Sequence, residues 1–461
     1  MEYYFKRDVW KDLLEWKKTS RYTLEVKGAR QVGKTFILKK FCEENFKQVF
    51  YINLLEQTGA DFLRSKEIWS RKYFGKHSDA EDMLRLMRIY APQFEDSEDT
   101  VVLIDEIQES SEVYNLIRQF TRNLETRFIV TGSYLGKAVN KNYFQPVGDL
   151  EILTIYSLSF PEFLDIFGMR DRQLECCRNL ESDKDLEKLF GIYITIGGYP
   201  AVIIEYLDTK NIDKCLLRLD NIVNVFTLES EERIEVKEDA ALFKELLTGI
   251  AAIGMKEKQG ISFIEELMPL VSEKSSLKVT KKILLRATAW LYKSGIINFA
   301  TKLIDADTSN PFTQSRLYFN DTGLAGYFMR TLNADYGNVR GYLTENYVYG
   351  VIRNRFYARY GVLPSIAGIE PQYTTYSVTG GELDFILCGL NNGRKIGIEV
   401  KSGKNVANTG RVMLENGKID QLYVLNGNTY GGMEKMITVP LYLTDQIQFD
   451  LSNGASRMSF F

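Results

Sequence analysis

Histidine is almost absent from this sequence, and its scarcity excludes several classes of site. The only histidine among the 461 residues is His77, which lies in a charged stretch. Metal centres built from several histidines, and catalytic triads that need a histidine base, are therefore excluded. Cysteine is also scarce: none of the five residues forms a CxxC pair, so the sequence indicates neither a zinc site nor a disulfide framework. These cysteines are Cys42, Cys176, Cys177, Cys215 and Cys388.

Long hydrophobic runs and a strong charge of one sign are missing as well. No apolar stretch approaches the roughly 18 residues that a membrane-spanning helix needs, and the mixed-charge N-terminal segment MEYYFKRDVWKDLLEW does not resemble a signal peptide. The 58 basic and 61 acidic residues give a net charge of −3, so no global basic field attracts nucleic acid or an anionic membrane. We expect a cytoplasmic protein with no membrane partner. Its length predicts about three domains, at roughly 150 residues each.

A glycine-rich segment near the N-terminus fits a phosphate-binding pattern. Residues 28–35, GARQVGKT, match G-x-x-x-x-G-K-[ST] between an apolar-alternating run that predicts a strand and a run with helical character. Backbone N–H groups of such a loop surround an anion, and the helix N-terminus adds partial positive charge. We predict that Lys34 reaches the β- and γ-phosphates of ATP and that the Thr35 hydroxyl binds Mg²⁺; the alternative is a chance glycine turn. The predicted nucleotide contacts are Gly28, Arg30, Gln31, Val32, Gly33, Lys34, Thr35 and Phe36.

Two acidic residues follow a second apolar run, TVVLIDE, at residues 100–106. Four apolar residues in a row predict a strand that is buried on both faces of a parallel sheet. Ligands of open α/β sheets bind at the carboxyl ends of the strands, so we predict that Asp105 holds Mg²⁺ and that Glu106 activates the attacking water. The alternative is a solvated acidic turn. A third strand, RFIVTGS, ends in Ser133, which is a candidate sensor of the γ-phosphate.

The remaining chain divides into three further segments after the α/β core of residues 1–165. Residues 166–235 predict a helical lid that is broken at the turn signal GGYP, and residues 236–332 predict a winged-helix domain. The third helix of that domain and the residues just before it carry basic side chains, which suggests a DNA-facing role. The alternative is a winged helix that binds protein or is purely structural. The basic residues are Lys278, Lys281, Lys282 and Arg286.

The segment from residue 333 to residue 461 carries a second group of charged residues. Predicted strands place Asp384 in GGELDFIL and the pair Glu399 and Lys401 in KIGIEVKSG. Residues i and i+2 of a strand share a face, so these three side chains can meet, and Glu345 on a preceding predicted helix can join them. Asp384, Glu399 and Glu345 would bind Mg²⁺, and Lys401 would stabilise the charge that develops during phosphodiester hydrolysis. The alternative is an exposed strand pair with ordinary charges.

Eight motifs in this order resemble a known family, the AAA-type ATP-binding proteins of bacteria and archaea with a C-terminal domain of unknown function. The motifs are GARQVGKT, LIDEIQ, VTGSYL, LSFPEFL, GGYPAV, YLTENYVYG, ELDFIL and IEVKSG. The resemblance covers nearly the whole chain. It implies a multidomain α/β fold with a P-loop, AAA-like ATPase core, a helical lid, a winged helix and a restriction-endonuclease-like C-terminal domain of the PD-(D/E)XK type. One departure is Asp149, where many members have a basic residue.

The resemblance also implies roles for particular residues. It assigns ATP contacts to Gly33, Lys34 and Thr35, and ATP hydrolysis to Asp105 and Glu106. The nuclease-like group falls on Glu345, Asp384, Glu399 and Lys401.

Our first hypothesis is an Mg²⁺-dependent ATPase coupled to a C-terminal domain that binds or cleaves DNA. The rival is an ATP-dependent switch or scaffold whose C-terminal domain binds protein and is catalytically inactive. ATP is the predicted partner under both hypotheses; DNA and a second copy of the chain, in a homo-oligomer, are further candidates. The near-neutral charge favours the rival, and the intact set of Asp384, Glu399 and Lys401 favours the first.

Overall fold

The structure, a computed structural model, consists of two β-sheets with helices packed around them. It describes residues 3–75, 77–132, 148–233, 242–254, 263–274, 279–307, 315–332, 335–360, 371–389, 393–401, 408–427 and 429–449. Of the residues predicted to form sites, Ser133 lies outside the described residues, as does Lys278 of the predicted basic helix.

The first sheet has five strands, all paired in parallel. They are β1 (Thr23–Lys27), β2 (Gln48–Asn53), β3 (Thr100–Asp105), β4 (Arg127–Thr131) and β5 (Leu150–Thr154), in the order β2-β3-β4-β1-β5. Strand β3 is buried throughout. Val101 and Leu103 join one hydrophobic cluster and Val102 and Ile104 another, because successive residues of a strand face opposite sides. The apolar run therefore forms a central strand covered on both faces, as predicted.

Six helices pack around this sheet within the described residues up to 166. They are α1 (Val9–Thr19), α2 (Lys34–Asn45), α3 (Gln57–Lys72), α4 (Asp79–Tyr90), α5 (Ser111–Asn123) and α6 (Phe160–Ile166). Helix α6 begins at a capping box: the Ser159 hydroxyl accepts from the Glu162 backbone N–H, and the Glu162 carboxylate accepts from the Ser159 N–H. Pro161 stands in the first turn, where its missing N–H costs no hydrogen bond. These signals explain why the LSFPEFL segment turns into a helix immediately after β5.

Four helices follow, with a sharp break between the second and third. They are α7 (Arg170–Asn179), α8 (Lys184–Ile196), α9 (Pro200–Thr209) and α10 (Ile212–Arg233). The break is at GGYP, where Gly197 has a φ of +75° and Gly198 packs against Leu158, two residues before α6. The Leu158 N–H donates to the Gly198 carbonyl over 2.8 Å, and a Cβ at Gly198 would lie 2.0 Å from the Leu158 carbonyl oxygen. The predicted turn is thus fixed against the segment between β5 and α6.

The next segment has three helices, a strand pair and a short helix. They are α11 (Phe243–Gly254), α12 (Phe263–Lys274), α13 (Lys281–Lys293), β6 (Ile297–Ile304), β7 (Ser315–Phe319) and α14 (Thr322–Arg330). Strands β6 and β7 are antiparallel. Lys281, Lys282 and Arg286 are exposed on α13, while Leu284, Ala287 and Leu291 enter the core. The basic residues therefore lie on the solvent face of this helix.

The second sheet combines β6 and β7 with the strands of the C-terminal segment. Its order is β12-β13-β11-β10-β9-β8-β6-β7, and β8 pairs in parallel with β6. One sheet therefore extends across the domain boundary predicted between residues 332 and 333. The C-terminal elements are α15 (Tyr336–Tyr360), β8 (Gln372–Tyr376), β9 (Gly381–Cys388), β10 (Lys395–Lys401), α16 (Asn408–Glu415), β11 (Gln421–Asn426), β12 (Gly431–Met433) and β13 (Met436–Val439).

The segment TVPLYL departs from its expected conformation. The sequence predicts one strand, but β13 ends at Val439 and a 3₁₀ helix runs over Leu441–Gln446. Proline carries no N–H for a strand ladder, so Pro440 separates the two. None of the described helices is long and apolar enough to cross a membrane.

Candidate nucleotide site and C-terminal acidic cluster

The phosphate loop leaves β1 through a conformation that only glycine adopts readily. Gly28 has a φ of +143°, and a Cβ there would lie 2.0 Å from the Ile155 carbonyl oxygen. Gly33, with a φ of +90°, precedes α2 directly. Between them, Gln31 also has a positive φ, of 63°, which is uncommon for a residue with a side chain and typical of functional sites. The loop therefore has the tight backbone that the motif predicts.

Lys34 is folded back over this loop. Its ammonium group donates to the Gly28 and Ala29 carbonyl oxygens over 2.9 and 2.8 Å, and only 8% of the residue is exposed. A buried ammonium needs acceptors for its protons, and these carbonyls supply them. The lysine is thus positioned above the loop from which it would reach phosphate oxygens.

Asp105 is the hub of the hydrogen bonds at the carboxyl edge of the sheet. Its Oδ2 accepts from the Thr35 hydroxyl over 2.8 Å and from the Tyr51 hydroxyl over 3.1 Å, while its Oδ1 accepts from the Glu106 N–H over 2.8 Å. Burial and the Asp105 carboxylate raise the pKa of Tyr51, so Tyr51 stays a donor. Thr35 and Asp105 bring together hard oxygen ligands of the kind that Mg²⁺ prefers.

Glu106 follows Asp105 in a left-handed backbone conformation, with a φ of 53°. The Gln108 amide donates to its carboxylate, and a Cβ at Gly132, just after β4, would lie 2.0 Å from the Gln108 Oε1. Strand β4 lies between β1 and β3, so Gly132 reaches the space between the phosphate loop and the acids. Gln108 therefore positions Glu106, a role that was not predicted from the motif LIDEIQ in which it lies.

A cavity of about 420 Å³ opens beside the phosphate loop. Gly33 and Phe36 form its loop side, and helix α9 forms another wall. The Tyr3 hydroxyl donates to the Asp208 carboxylate over 2.6 Å at its rim. An apolar cavity with a few polar groups is the usual form of a small-molecule site, and aromatic walls suit a planar ring. The main lining residues are Tyr3, Phe5, Phe36, Pro200, Ile204 and Asp208.

The predicted loop contacts occupy different environments. Val32 is buried and Phe36 is largely exposed at the cavity.

Asp149 lies at the amino end of β5, paired with Arg118 and Arg122 over 3.1 and 2.8 Å. The phosphate loop is at the opposite end of the parallel sheet, so Asp149 is a buried ion-pair residue away from the nucleotide site.

The C-terminal charged residues form a largely buried ion network, and β7 contributes an arginine to it. The Arg316 guanidinium donates to Glu345 over 2.9 Å and to Glu382. The Tyr318 hydroxyl donates to the same Glu345 oxygen over 2.5 Å. Arg316 also lies over the Tyr373 ring, 4.5 Å from its centroid. Glu345 is therefore held by two donors from a strand outside the predicted C-terminal segment.

The other predicted residues of this network lie on β9 and β10. Lys401 pairs with Glu399 over 2.7 Å, and Asp384 accepts from the Val400 N–H over 2.7 Å. Burial, together with the Glu345 and Glu399 charges, raises the pKa of Asp384 to about 8. Burial also raises the pKa of Glu399, although Lys401 opposes this shift.

The carboxylates of this network are each bonded within the protein. In the part of the chain that the structure describes, no three acidic, histidine or cysteine side chains are close enough together to hold a metal ion. The structure thus brings Glu345, Asp384, Glu399 and Lys401 into one electrostatic network, because their charges act on each other. It does not bring the acids into a ready-made metal cage.

Three solved structures align with much of the chain at low identity. The signal transduction ATPase with numerous domains (STAND) and tetratricopeptide sensor from Pyrococcus horikoshii is 12% identical with a TM-score of 0.30, over 79% of this chain and 49% of that one. ORC1 of Aeropyrum pernix in complex with DNA is 14% identical with a TM-score of 0.26, over 75% and 94%. The RuvB Holliday junction branch migration motor of Thermotoga maritima is 15% identical with a TM-score of 0.28, over 64% and 89%.

The chain thus spans about half the length of the STAND protein that it matches. No curated protein sequence matches the chain. The match to a protein family is confined to the first sheet and the helices around it. Residues 20–164, which contain the phosphate loop, Asp105 and Glu106, match the family described as AAA domain.

Proposed function

We propose that this protein binds ATP with Mg²⁺ and hydrolyses it in the α/β core. The observation that carries the proposal is the 2.8 Å contact between the Thr35 hydroxyl at the start of α2 and the Asp105 carboxylate at the end of β3. That contact supports the proposal because it brings two oxygen groups of the kind that bind Mg²⁺ beside a loop shaped for phosphate. The AAA-domain match over residues 20–164 supports the same chemistry.

In this proposal the residues at the phosphate loop and at the end of β3 have distinct roles. Lys34 leaves its loop carbonyls to neutralise the β- and γ-phosphates, and the loop N–H groups hold the phosphate oxygens. Thr35 and Asp105 hold Mg²⁺, which shields the phosphate charge when bound. Glu106, oriented by Gln108, accepts a proton from the attacking water. Most of the acceleration comes from fixed charges aimed at the transferring phosphoryl group.

The cavity beside the loop receives the nucleotide base. Its aromatic and aliphatic walls suit the faces of a purine, and the Asp208 carboxylate at the rim is an acceptor for an exocyclic amino group. Because Gly33 of the loop and Phe36 in the first turn of α2 both line the cavity, a single nucleotide can engage both the loop and the cavity.

For the C-terminal segment, our proposal is that of the first hypothesis, a nuclease-like domain of the PD-(D/E)XK type that binds or cleaves DNA, with a winged helix before it. The shared network of Asp384, Glu399 and Lys401 supports it. In that case Asp384 and Glu399 hold the metal and Lys401 stabilises phosphodiester charge. The alternative is a protein-binding module, and the engagement of Glu345 by Arg316 favours it.

Phosphate release from ATP, with and without Mg²⁺, tests the ATPase proposal. Lys34→Ala is expected to lower the rate by at least about a hundredfold. The control is Lys47→Ala, since Lys47 is a largely exposed lysine paired with Asp99 on the surface. Equal rates in wild type and Lys34→Ala, or a rate that does not depend on Mg²⁺, would refute the proposal.

Cleavage of single- and double-stranded DNA with Mg²⁺ or Mn²⁺ decides between the two hypotheses for the C-terminal segment. Wild type, Asp384→Ala and Lys34→Ala are compared with and without ATP. Cleavage that is lost in Asp384→Ala establishes the nuclease, and a further loss in Lys34→Ala shows that ATP controls it. No cleavage under any condition, with ATP hydrolysis intact, leaves the switch or scaffold.

A further inference from the structure

Arg7, from the segment before α1, is buried against the back of the phosphate loop. Only 8% of it is exposed. Its Nη1 donates to the Val32 carbonyl over 3.1 Å, and its Nε donates to the Glu162 carboxylate over 3.1 Å. Its Nη2 donates to the Tyr156 carbonyl over 2.8 Å. All three guanidinium nitrogens are therefore bonded within the protein. Two of them donate to backbone carbonyls, one in the phosphate loop and one in the segment after β5.

These bonds tie the loop to the segment that follows β5. Val32 is the residue immediately before Gly33, whose conformation starts helix α2. Glu162 is fixed in turn by the capping box of α6, and it also accepts from the Asp8 N–H over 2.7 Å. A charged hydrogen bond in a buried place is strong because water cannot replace it. Arg7 therefore restrains the loop residue next to the predicted phosphate position.

Tyr156 continues the connection beyond the ATPase core. Its backbone carbonyl accepts from Arg7, and its hydroxyl accepts from Arg353 over 2.8 Å. Arg353 lies on helix α15, the helix that carries Glu345 of the C-terminal network. The phosphate loop and that helix are therefore joined through one arginine and one tyrosine.

We propose that Arg7 is a positioning residue of the nucleotide site and that Tyr156 transmits the state of the phosphate loop to helix α15. The inference rests on the proposed nucleotide binding. Under this proposal the phosphates of a bound nucleotide shift Val32, and Arg7 passes that shift to the segment around Tyr156. A ligand shifts a conformational equilibrium only through contacts that differ between the two states. Here those contacts are the loop N–H groups that would hold phosphate, and the Val32–Arg7 bond links them to Arg7.

Arg170 provides a matched control for Arg7. It is a partly buried arginine with two carboxylate partners, Asp8 and Asp165, each at 2.7 Å, and neither partner belongs to the phosphate loop. Arg7→Met removes one ion pair and two bonds to backbone carbonyls, whereas Arg170→Met removes two ion pairs. Both variants therefore lose the bonds of an arginine, but only Arg7→Met loses a bond to the loop.

The first experiment measures the affinity for a non-hydrolysable ATP analogue with Mg²⁺, together with the unfolding temperature without nucleotide. Arg7→Met is expected to weaken binding by about tenfold or more, whereas Arg170→Met leaves it within about twofold. If neither wild type nor any variant binds, the proposed nucleotide site has failed. If wild type and Arg7→Met bind equally, the ATP site stands and the positioning role of Arg7 is overturned.

The second experiment measures amide hydrogen exchange with and without the same analogue. Tyr156→Phe removes only the hydroxyl, keeping both the ring and the carbonyl that accepts from Arg7. In wild type, nucleotide is expected to change exchange in both the phosphate loop and residues 342–354. In Tyr156→Phe the loop response remains and the response of residues 342–354 falls at least about twofold. A full helix response in Tyr156→Phe, or none in wild type, would overturn the transmission.

Discussion

The Thr35 hydroxyl donates to the Asp105 carboxylate over 2.8 Å, so the end of the phosphate loop and the acidic end of β3 are joined directly. Tyr51 donates to the same carboxylate oxygen from the neighbouring strand β2. Strand β4 separates β1 from β3 in the sheet, so the contact joins motifs from two strands that are not neighbours. The two proposed Mg²⁺ ligands, Thr35 and Asp105, are thus in direct contact.

This contact predicts a Mg²⁺-specific effect of Thr35→Ala. The variant loses one hard oxygen ligand and the bond that orients Asp105, while the loop N–H groups that hold phosphate remain. We expect affinity for the Mg²⁺–nucleotide complex to fall by about tenfold or more. Affinity without Mg²⁺ should change little. Titration of a fluorescent ATP analogue with and without Mg²⁺ measures both quantities.

Thr58→Ala is the control for this variant. Thr58 also uses its hydroxyl in a local bond, accepting from the Asn53 N–H over 3.0 Å beyond the end of β2. Loss of the Thr58 hydroxyl should therefore have the same effect on nucleotide affinity with Mg²⁺ as without it. An equal fall in Thr35→Ala with and without Mg²⁺ would contradict the assignment of Thr35 as a metal ligand.

Glu106→Gln should separate hydrolysis from binding. The side chain stays the same size but can no longer accept a proton, so we expect kcat to fall by roughly 10²–10⁴ while the Kd for ATP stays within a few-fold. Gln108→Ala should give a smaller fall in kcat, because Glu106 keeps its carboxylate and loses only its orienting donor. Steady-state phosphate release and a binding titration give the two values. A wild-type rate in Glu106→Gln would remove Glu106 from the mechanism.

The features of the core that could be predicted from the sequence are those formed by short runs of consecutive residues. GARQVGKT follows a run that predicts a strand, TVVLIDE contains one, and both end in polar groups; the structure places both motifs at the same edge of one parallel sheet. Local patterns are enough here because parallel strands meet their ligands at their carboxyl ends. The roles of Lys34, Thr35, Asp105 and Glu106 remain predictions that the experiments above test.

The residues that sequence analysis missed act through contacts between distant parts of the chain. Arg7 reaches Glu162 and Tyr156, and Arg316 of β7 reaches Glu345 and Glu382. No periodicity or motif marks such pairs, because each partner looks like an ordinary charged residue of its own element. The buried cation of the C-terminal network was missed for a further reason: the sequence assigned β7 to the preceding domain, yet the second sheet runs through both segments.

The cavity beside the loop predicts that filling it will block nucleotide binding. Ile204 lines it from helix α9, and Ile204→Trp adds a bulky ring where the base should lie. We expect affinity for ATP to fall by at least about tenfold, while affinity for inorganic triphosphate falls much less because the phosphate loop is untouched. Competition titrations measure both. Leu217→Trp, at an exposed position of α10, is the control; equal losses for ATP and triphosphate in Ile204→Trp would refute the assignment of the base cavity.

The buried carboxylate of Asp384 predicts a pH-dependent term in stability. Burial and the Glu345 and Glu399 charges raise its pKa to about 8, whereas the unfolded carboxyl titrates near 4. Between about pH 4 and pH 8 the folded state therefore binds more protons at this group than the unfolded state, and the contribution of Asp384 to stability falls as pH rises. Asp384→Asn cannot ionise, and its amide oxygen can still accept from the Val400 N–H.

We expect Asp384→Asn to gain stability relative to wild type as the pH rises from about 5 to about 9, by an amount on the order of a few kcal/mol. Denaturant unfolding at several pH values measures the difference. Asp420→Asn is the control, because Asp420 is an exposed carboxylate of the same segment that also accepts a backbone N–H, from Lys395 over 2.7 Å. Saturating Mg²⁺ or Mn²⁺ should stabilise wild type most above pH 8, where Asp384 is ionised, if the network binds metal. Parallel stability curves for wild type and Asp384→Asn would show that Asp384 titrates normally in the folded protein, so the C-terminal network would not perturb its charge.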